Sequence, residues 1–267
     1  MMLFKYYLKS LLSNRPLWAW GTGFTVFWLF MGAFVFGFNM TTKQESLGYT
    51  SVWYSIIGLI ASGVIATTIS YSVYYANASL AYSFRFTKLR PSTYVFSLMA
   101  GTAVVATIIG AILMAVSALM YSYKSHYSLI PVMPLQSLGV FFLSGIFMFL
   151  LAVILVVSVN NYTGLKSISF VAFIPQILSY IFAFSALGQP LPVDLVYASP
   201  FSDIQRLLMT TYYGHRTPLN LNGGIGPLLN TNVFIVSLLF WIALLFAVSI
   251  ILVSRIRPAS IEEGRQV

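Results

Sequence analysis

Five acids, two histidines and no cysteine are what these 267 residues offer to carboxylate, imidazole or thiol chemistry. The acids are Glu45, Asp194, Asp203, Glu262 and Glu263, and the histidines are His126 and His215. A chain without cysteine has no disulfide, thiolate nucleophile or Cys-ligated zinc. Two isolated histidines assemble no credible metal site, and no acidic cluster is available to hold magnesium. Leu143-Ser144-Gly145 sets a serine in an apolar run, but a serine nucleophile needs a base within hydrogen-bond reach. Both histidines lie outside such runs, so Ser144 reads as a helix-packing residue. No Gly-x-x-x-x-Gly-Lys-Ser/Thr loop is present to cradle ATP. These absences describe a chain that is not itself an enzyme. What remains is a row of hydroxyls, Thr67, Tyr71 and Tyr75, spaced four apart. They line a cavity, or they serve interhelical hydrogen bonding and an interfacial aromatic belt.

The elements that carry these residues belong in lipid. The hydrophobic fraction is 59% and the charged fraction 7%, where a soluble domain has about a quarter of its residues charged. Six segments reach the roughly 20 apolar residues needed to cross a bilayer: about 18–38, 51–78, 92–121, 136–159, 168–187 and 232–253. The first is too long for a signal-peptide core of roughly 7–15 residues and reads as a permanent span. Pro175 should kink the fifth. No Asp, Glu, Lys, Arg or His falls inside a span. That argues against a proton- or sodium-driven carrier, which usually holds its coupling ion on such a group.

Lys and Arg in loops set orientation. Lys5, Lys9, Arg15, Arg85, Lys88, Arg90, Lys166, Arg255, Arg257 and Arg265 fall on one side, and Lys43, Lys124, Arg206 and Arg216 on the other. The richer side is cytoplasmic and holds both termini, giving a multi-pass protein of the cell (plasma) membrane. The net charge of +9 is explained by this asymmetry, so no nucleic-acid partner is expected.

Three elements do not span. Residues 2–14 form an amphipathic helix, with Leu3, Phe4, Tyr7, Leu8, Leu11 and Leu12 on one half and Lys5, Lys9, Ser10 and Ser13 on the other. Such a helix lies in the interface, and Asn14-Arg15-Pro16 ends it. Residues 79–91 form a short basic, helix-compatible loop closed by Pro91. Residues 188–231 contain a helix signal: Ser199 as N-cap, Pro200 in the first turn with Asp203, and Gly214 as terminator. Phe201, Ile204, Leu207, Leu208 and Tyr212 make its apolar stripe, with Arg206 facing water or headgroups and able to pair with Asp203. The rest, with Pro218, Gly223, Gly224, Gly226 and Pro227, reads as irregular loop. Asn39-Met40-Thr41 matches a glycosylation acceptor on the outer side. Ser51, Ser55, Gly58, Ser62 and Ala66 give the second span a close-packing face for a second copy or for contacts within one chain.

The order of these elements resembles the type-two permease subunits of ATP-binding-cassette exporters. The segment Tyr197-Ala198-Ser199-Pro200-Phe201-Ser202-Asp203-Ile204-Gln205-Arg206-Leu207-Leu208, closed at Tyr213-Gly214, is similar to that family's small-or-polar, Pro, apolar, Ser/Thr pattern before an amphipathic helix. Thr87-Lys88-Leu89-Arg90-Pro91-Ser92-Thr93-Tyr94 is similar to its lead into the third span. Unlike many members, this chain has no acid in Ala78-Ser79-Leu80-Ala81-Tyr82-Ser83. The resemblance implies an all-α permease domain over residues 1–267, with six transmembrane helices, an N-terminal elbow helix, a cytoplasmic coupling helix and an outer re-entrant or interfacial helix between spans five and six. It also implies a separate nucleotide-binding ATPase subunit holding ATP and Mg, and a second permease copy in a homodimer or heterodimer. Phe84, Arg85, Lys88, Leu89 and Arg90 would contact the ATPase, and Pro200, Phe201, Ile204, Leu207 and Leu208 would form an outer gate. Uncharged spans suit an apolar or amphipathic substrate. The alternatives are an ATP-independent carrier or channel-like protein, and a membrane assembly subunit with no transport path.

Overall fold

The computed structural model describes residues 2–37, 41–87, 89–162, 168–188, 191–221 and 226–256. Lys88, Lys166, Asn39, Gly223, Gly224 and the charged tail with Glu262 and Glu263 lie outside these residues. The described chain is all-α, with one isolated antiparallel bridge between Pro218 and Leu228.

The amphipathic start folds as the sequence predicts. Helix α1 (Met2–Leu12) buries Leu11 and exposes Lys5 and Lys9. It packs along α5 (Pro91–Ser125), where Gly101 leaves room for the Tyr7 ring and the Tyr7 hydroxyl meets Thr102 Oγ1 at 3.5 Å. Burial there pushes the Tyr7 phenol up to about 12. Asn14 then caps α2 (Arg15–Trp18), its side chain accepting from Leu17 N at 3.1 Å. A π-helical stretch (Ala19–Phe24), α3 (Thr25–Phe30) and a second π-helical stretch (Met31–Val35) complete the first apolar segment.

Helix α4 (Lys43–Phe86) starts from a capping box between Thr42 and Glu45 and runs 44 residues without a break. The loop expected at 79–91 is therefore mostly the end of α4. Among the described residues the segment continues α4 to Phe86 rather than starting a helix of its own, because Ala76–Phe86 contains neither Gly nor Pro to stop the periodicity. Helices α5, α6 (Pro134–Tyr162), α7 (Ser169–Ser185) and α9 (Pro200–Tyr213) pack around α4, and α10 (Thr231–Ser254) closes the bundle against α6 and α9. α4 is consequently buried on all sides from Val52 to Ala66. The small-residue face of the second span is spent within this chain. A Cβ on Gly58 would lie 2.7 Å from Leu208 Cδ1 and 2.9 Å from Phe141 Cζ, and Ser62 Oγ meets Ser144 Oγ at 3.1 Å.

Among the described residues five helices are long and apolar enough to cross a membrane: Arg15–Val35, Lys43–Ala76, Pro91–Ser125, Pro134–Asn161 and Thr231–Ser254. The sixth expected segment is shorter. α7 has 17 residues and continues through Pro175, a length of about 25 Å at 1.5 Å per residue. Ser179 touches Gly63, twenty residues along α4 from Lys43. α7 therefore ends about 20 Å short of the Lys43 end of α4.

Candidate functional site

The space above the short α7 is filled by a helical hairpin. Helix α8 (Val193–Ala198) descends and α9 returns, with Ser199 and Pro200 at the tip. Three contacts fix its depth. Trp241, ten residues into α10, donates its indole N–H to Ala198 O at 2.9 Å, so the tip lies about 15 Å from the Thr231 end. Phe201 packs edge-on to Phe147, thirteen residues into α6, and stacks on Phe182 of α7, both with ring centroids 5.5 Å apart. At the other end of α9, Tyr213 lies against Gly48, five residues from the start of α4.

Local chemistry explains why α9 stops at the rim. Gly214 takes φ 81° as the left-handed terminator. The last carbonyls, of Thr211 and Tyr212, accept from Met133 N at 2.9 Å and Val132 N at 3.0 Å. That satisfies groups every helix end leaves open. Tyr212 is fully buried, 4.7 Å from Tyr54 by ring centroids, and donates to Leu129 O at 2.9 Å. Ser199 occupies the N-cap position, but its side chain makes no capping bond.

Pro200, Phe201, Ile204, Leu207 and Leu208 are all buried, as the stripe requires. The polar face of α9 is buried as well, contrary to expectation. Gln205 donates to Ala183 O at 2.9 Å, capping the end of α7. Arg206 is 2% exposed and donates from Nη1 to Pro218 O and from Nη2 to Leu219 O, both at 2.7 Å. It does not face water, because the chain after Gly214 folds back over it and Leu221 N bonds to Ala186 O. Asp203 is 0% exposed, and neither carboxylate oxygen has a hydrogen-bond partner. No ion pair joins Asp203 to Arg206 within 4.0 Å. Beyond hydrogen-bond distance, the Ser237 hydroxyl of α10 is near enough to ease a charge on Asp203 only in part. The six expected spans are indeed free of Asp, Glu, Lys, Arg and His, but Asp203 and Arg206, outside the spans, are buried among the helices rather than facing water.

Beside the hairpin opens a cleft of about 1010 Å³. Val52, Trp53, Leu187 and Met209 provide its apolar lining, and His215 and Arg216 stand at its polar mouth. Its size and mixed lining suit an amphipathic molecule.

The other sequence-derived residues are placed differently. Thr67 is buried and donates to Gln176 Oε1 of α7 at 3.2 Å, Tyr71 is half-buried, and Tyr75 is 64% exposed. The three share no cavity wall with the cleft. At the far end of α4, Phe84 packs edge-on to Tyr94 at 5.9 Å and Leu89 is half-buried, whereas Arg85 and Arg90 are exposed. Phe86, which the sequence reading passed over, is 80% exposed. The missed signals were the Pro192 and Asp194 start of α8, Gln205 one turn from the α9 tip, and the Phe84/Phe86 alternation. No protein-family model matches the chain, and no curated protein matches it.

Proposed function

We propose that the chain is the membrane-spanning permease subunit of an ATP-driven exporter of the ATP-binding-cassette type, moving an apolar or amphipathic substrate. The observation that carries this reading is the α8–α9 hairpin, inserted tip-first between α4, α6, α7 and α10 above a helix too short to cross alone. A plain loop of 44 residues needs no such packing. A re-entrant hairpin at the closed end of a path does, because its backbone is then buried in protein rather than lipid. In this reading α7 and the hairpin together make the sixth crossing. The hairpin end is outside, and both termini are cytoplasmic in the plasma membrane. α1 lies along the inner interface as the elbow, and a second permease copy, identical or homologous, completes the path.

α4 supplies the mechanical link. Its 44 residues extend about 66 Å from the cleft to the exposed Phe86. A separate nucleotide-binding subunit, carrying ATP and Mg, would seat Phe86 as its apolar anchor. Arg85, Lys88 and Arg90 would stand around it, while Phe84 and Leu89 hold the α4–α5 corner. Movement imposed on that corner would reach Gly58 and Leu208 through one unbroken rod. Isolation of the protein from its own membranes in mild detergent tests the assignment. An ATP-hydrolysing chain should accompany it in equal number. A lone chain, fully folded and stable, would count against the proposal.

A second reading has one observation in its favour. Asp203 is a buried carboxyl of the kind that proton-coupled carriers use, so an ATP-independent carrier remains the alternative. Transport driven by a pH gradient in vesicles free of ATP would select it.

A further inference from the structure

We infer that Asp203 is a proton-binding site that holds the α8–α9 hairpin in its packed position. The inference concerns this chain alone and stands whether transport is driven by ATP or by a gradient.

The argument starts from the cost of charge. An ionised carboxylate removed from water is tolerated only with hydrogen bonds or a counter-ion close by. Asp203 has no counter-ion, Arg206 being out of ion-pair reach, and no hydrogen bond within 3.5 Å; the nearby Ser237 hydroxyl of α10 eases a charge there only in part. The surrounding elements offer no rescue. Among described residues, α6, α7 and α10 carry no Asp, Glu, Lys, Arg or His, and their titratable groups are Tyr162 and Tyr180. α4 brings Lys43 and Glu45 at one end, Arg85 at the other and Tyr54 between them. α8 brings Asp194 and Tyr197, and α9 itself adds Arg206, Tyr212 and Tyr213. Glu45 is committed to its capping box. Arg206 directs its two Nη groups at Pro218 O and Leu219 O, its buried Nε has no partner, and none of the three reaches Asp203. The stable form of Asp203 in the packed hairpin is therefore the neutral acid.

The consequence is a linkage. A hairpin that swings toward water hydrates Asp203, which then returns to an ordinary carboxylate pKa and releases its proton. The pKa is raised in the packed state, so packing takes up one proton. The packed state is favoured at low pH and loses ground as pH rises from the exposed carboxylate's range to the higher pH at which the buried acid itself ionises. Within that window the ratio of packed to exposed hairpin falls about ten-fold per pH unit, and above it the ratio is flat.

Two measurements on the purified chain in lipid nanodiscs test this. Asp194 and Asp203 are its two aspartates among five acids, so carbon-13 aspartate labelling assigns an infrared carboxylic-acid band without mutation. That band should be present at neutral pH, survive Asp194→Asn and vanish in Asp203→Asn. The chain has no cysteine, so Ser202→Cys reports hairpin exposure to an impermeant maleimide. Its labelling rate relative to the same cysteine in the Asp203→Asn background, which cancels the thiol's own titration, should rise by about ten-fold per pH unit over the range from about pH 5 to about pH 8. Absence of the acid band, or a ratio flat across that range, would each overturn the inference. Because neither readout involves ATP, failure here leaves the transporter assignment untouched.

Discussion

The guanidinium of Arg206 and the carbonyl of Pro218 meet at 2.7 Å inside the protein, twelve residues apart and on opposite sides of the turn at Gly214. With the second bond to Leu219 O, this contact ties the chain after α9 back onto the hairpin. Arg206→Ala removes both donors and leaves two carbonyls short of partners in a dry setting. A loss of roughly 2–4 kcal/mol is expected, seen as a lower unfolding temperature and faster proteolysis within residues 215–230. Arg206→Lys should recover part of it. Unchanged protease resistance in Arg206→Ala would show that the loop is held by other means.

Gly58 sets how closely α9 approaches α4. A methyl group there would sit 2.7 Å from Leu208 Cδ1, a distance that forces the side chain or the helix to move. Gly58→Ala should cost about 1–3 kcal/mol through overpacking. Leu208→Ala in the same chain should return part of that loss by opening space. If the double variant is as unstable as the sum of the two singles, the residues are not in the contact described.

The two aromatics at the end of α4 have separable effects. Phe84→Ala removes a ring packed on Tyr94 and should lower the stability of the isolated chain by roughly 1–3 kcal/mol. Phe86→Ala removes an exposed ring and should leave that stability within about 0.5 kcal/mol. Its effect should appear in binding to the proposed ATPase subunit, weakened at least about ten-fold as expected for an aromatic anchor. Thermal unfolding of the chain alone and affinity for the partner separate the two. Equal behaviour of both variants in both assays would remove the distinction.

On the hairpin, Leu207→Asp places a carboxylate where a buried leucine packs. If the proposed assignment holds, export should fall sharply while the ATPase subunit stays bound, because the neighbouring Leu208 meets α4 at Gly58, about 40 Å along the helix from Phe86. Full transport by this variant would mean that hairpin packing is not needed for the path.

Much of this architecture is written in short-range signals. The α1 stripe, the break at Asn14-Arg15-Pro16, the Pro200 start and the Gly214 stop each depend on residues within one turn of one another, and the ends of α1 and α9 fall within two residues of their predicted places; that Asn14 goes on to cap α2 was not predicted. Long-range facts were less legible. The α9 stripe shows that one face is apolar, but nothing local shows that the chain after Gly214 folds over the other face and buries Arg206. For the same reason Asp203 read as a first-turn acid at a helix start, a common exposed role, and not as an enclosed one. The small residues of α4 signalled close packing correctly. Whether they met a second copy or Leu208, Phe141 and Ser144 of the same chain depends on topology that spacing does not encode. The α4 end was misread because a basic loop after a span and a continued helix share one composition; only the absence of Gly and Pro between Ala76 and Phe86 favoured the helix.

The most direct test of the account is ATP hydrolysis by the protein isolated from its own membranes with its bound partner and reconstituted into proteoliposomes. The account predicts Mg-dependent hydrolysis that travels with the chain and is stimulated by an amphipathic substrate. It also predicts that hydrolysis is lost from the chain's fractions in Phe86→Asp, while the chain itself stays folded. Substrate movement by the chain alone, driven by a pH gradient with no ATP-hydrolysing partner and indifferent to Phe86→Asp, would contradict it.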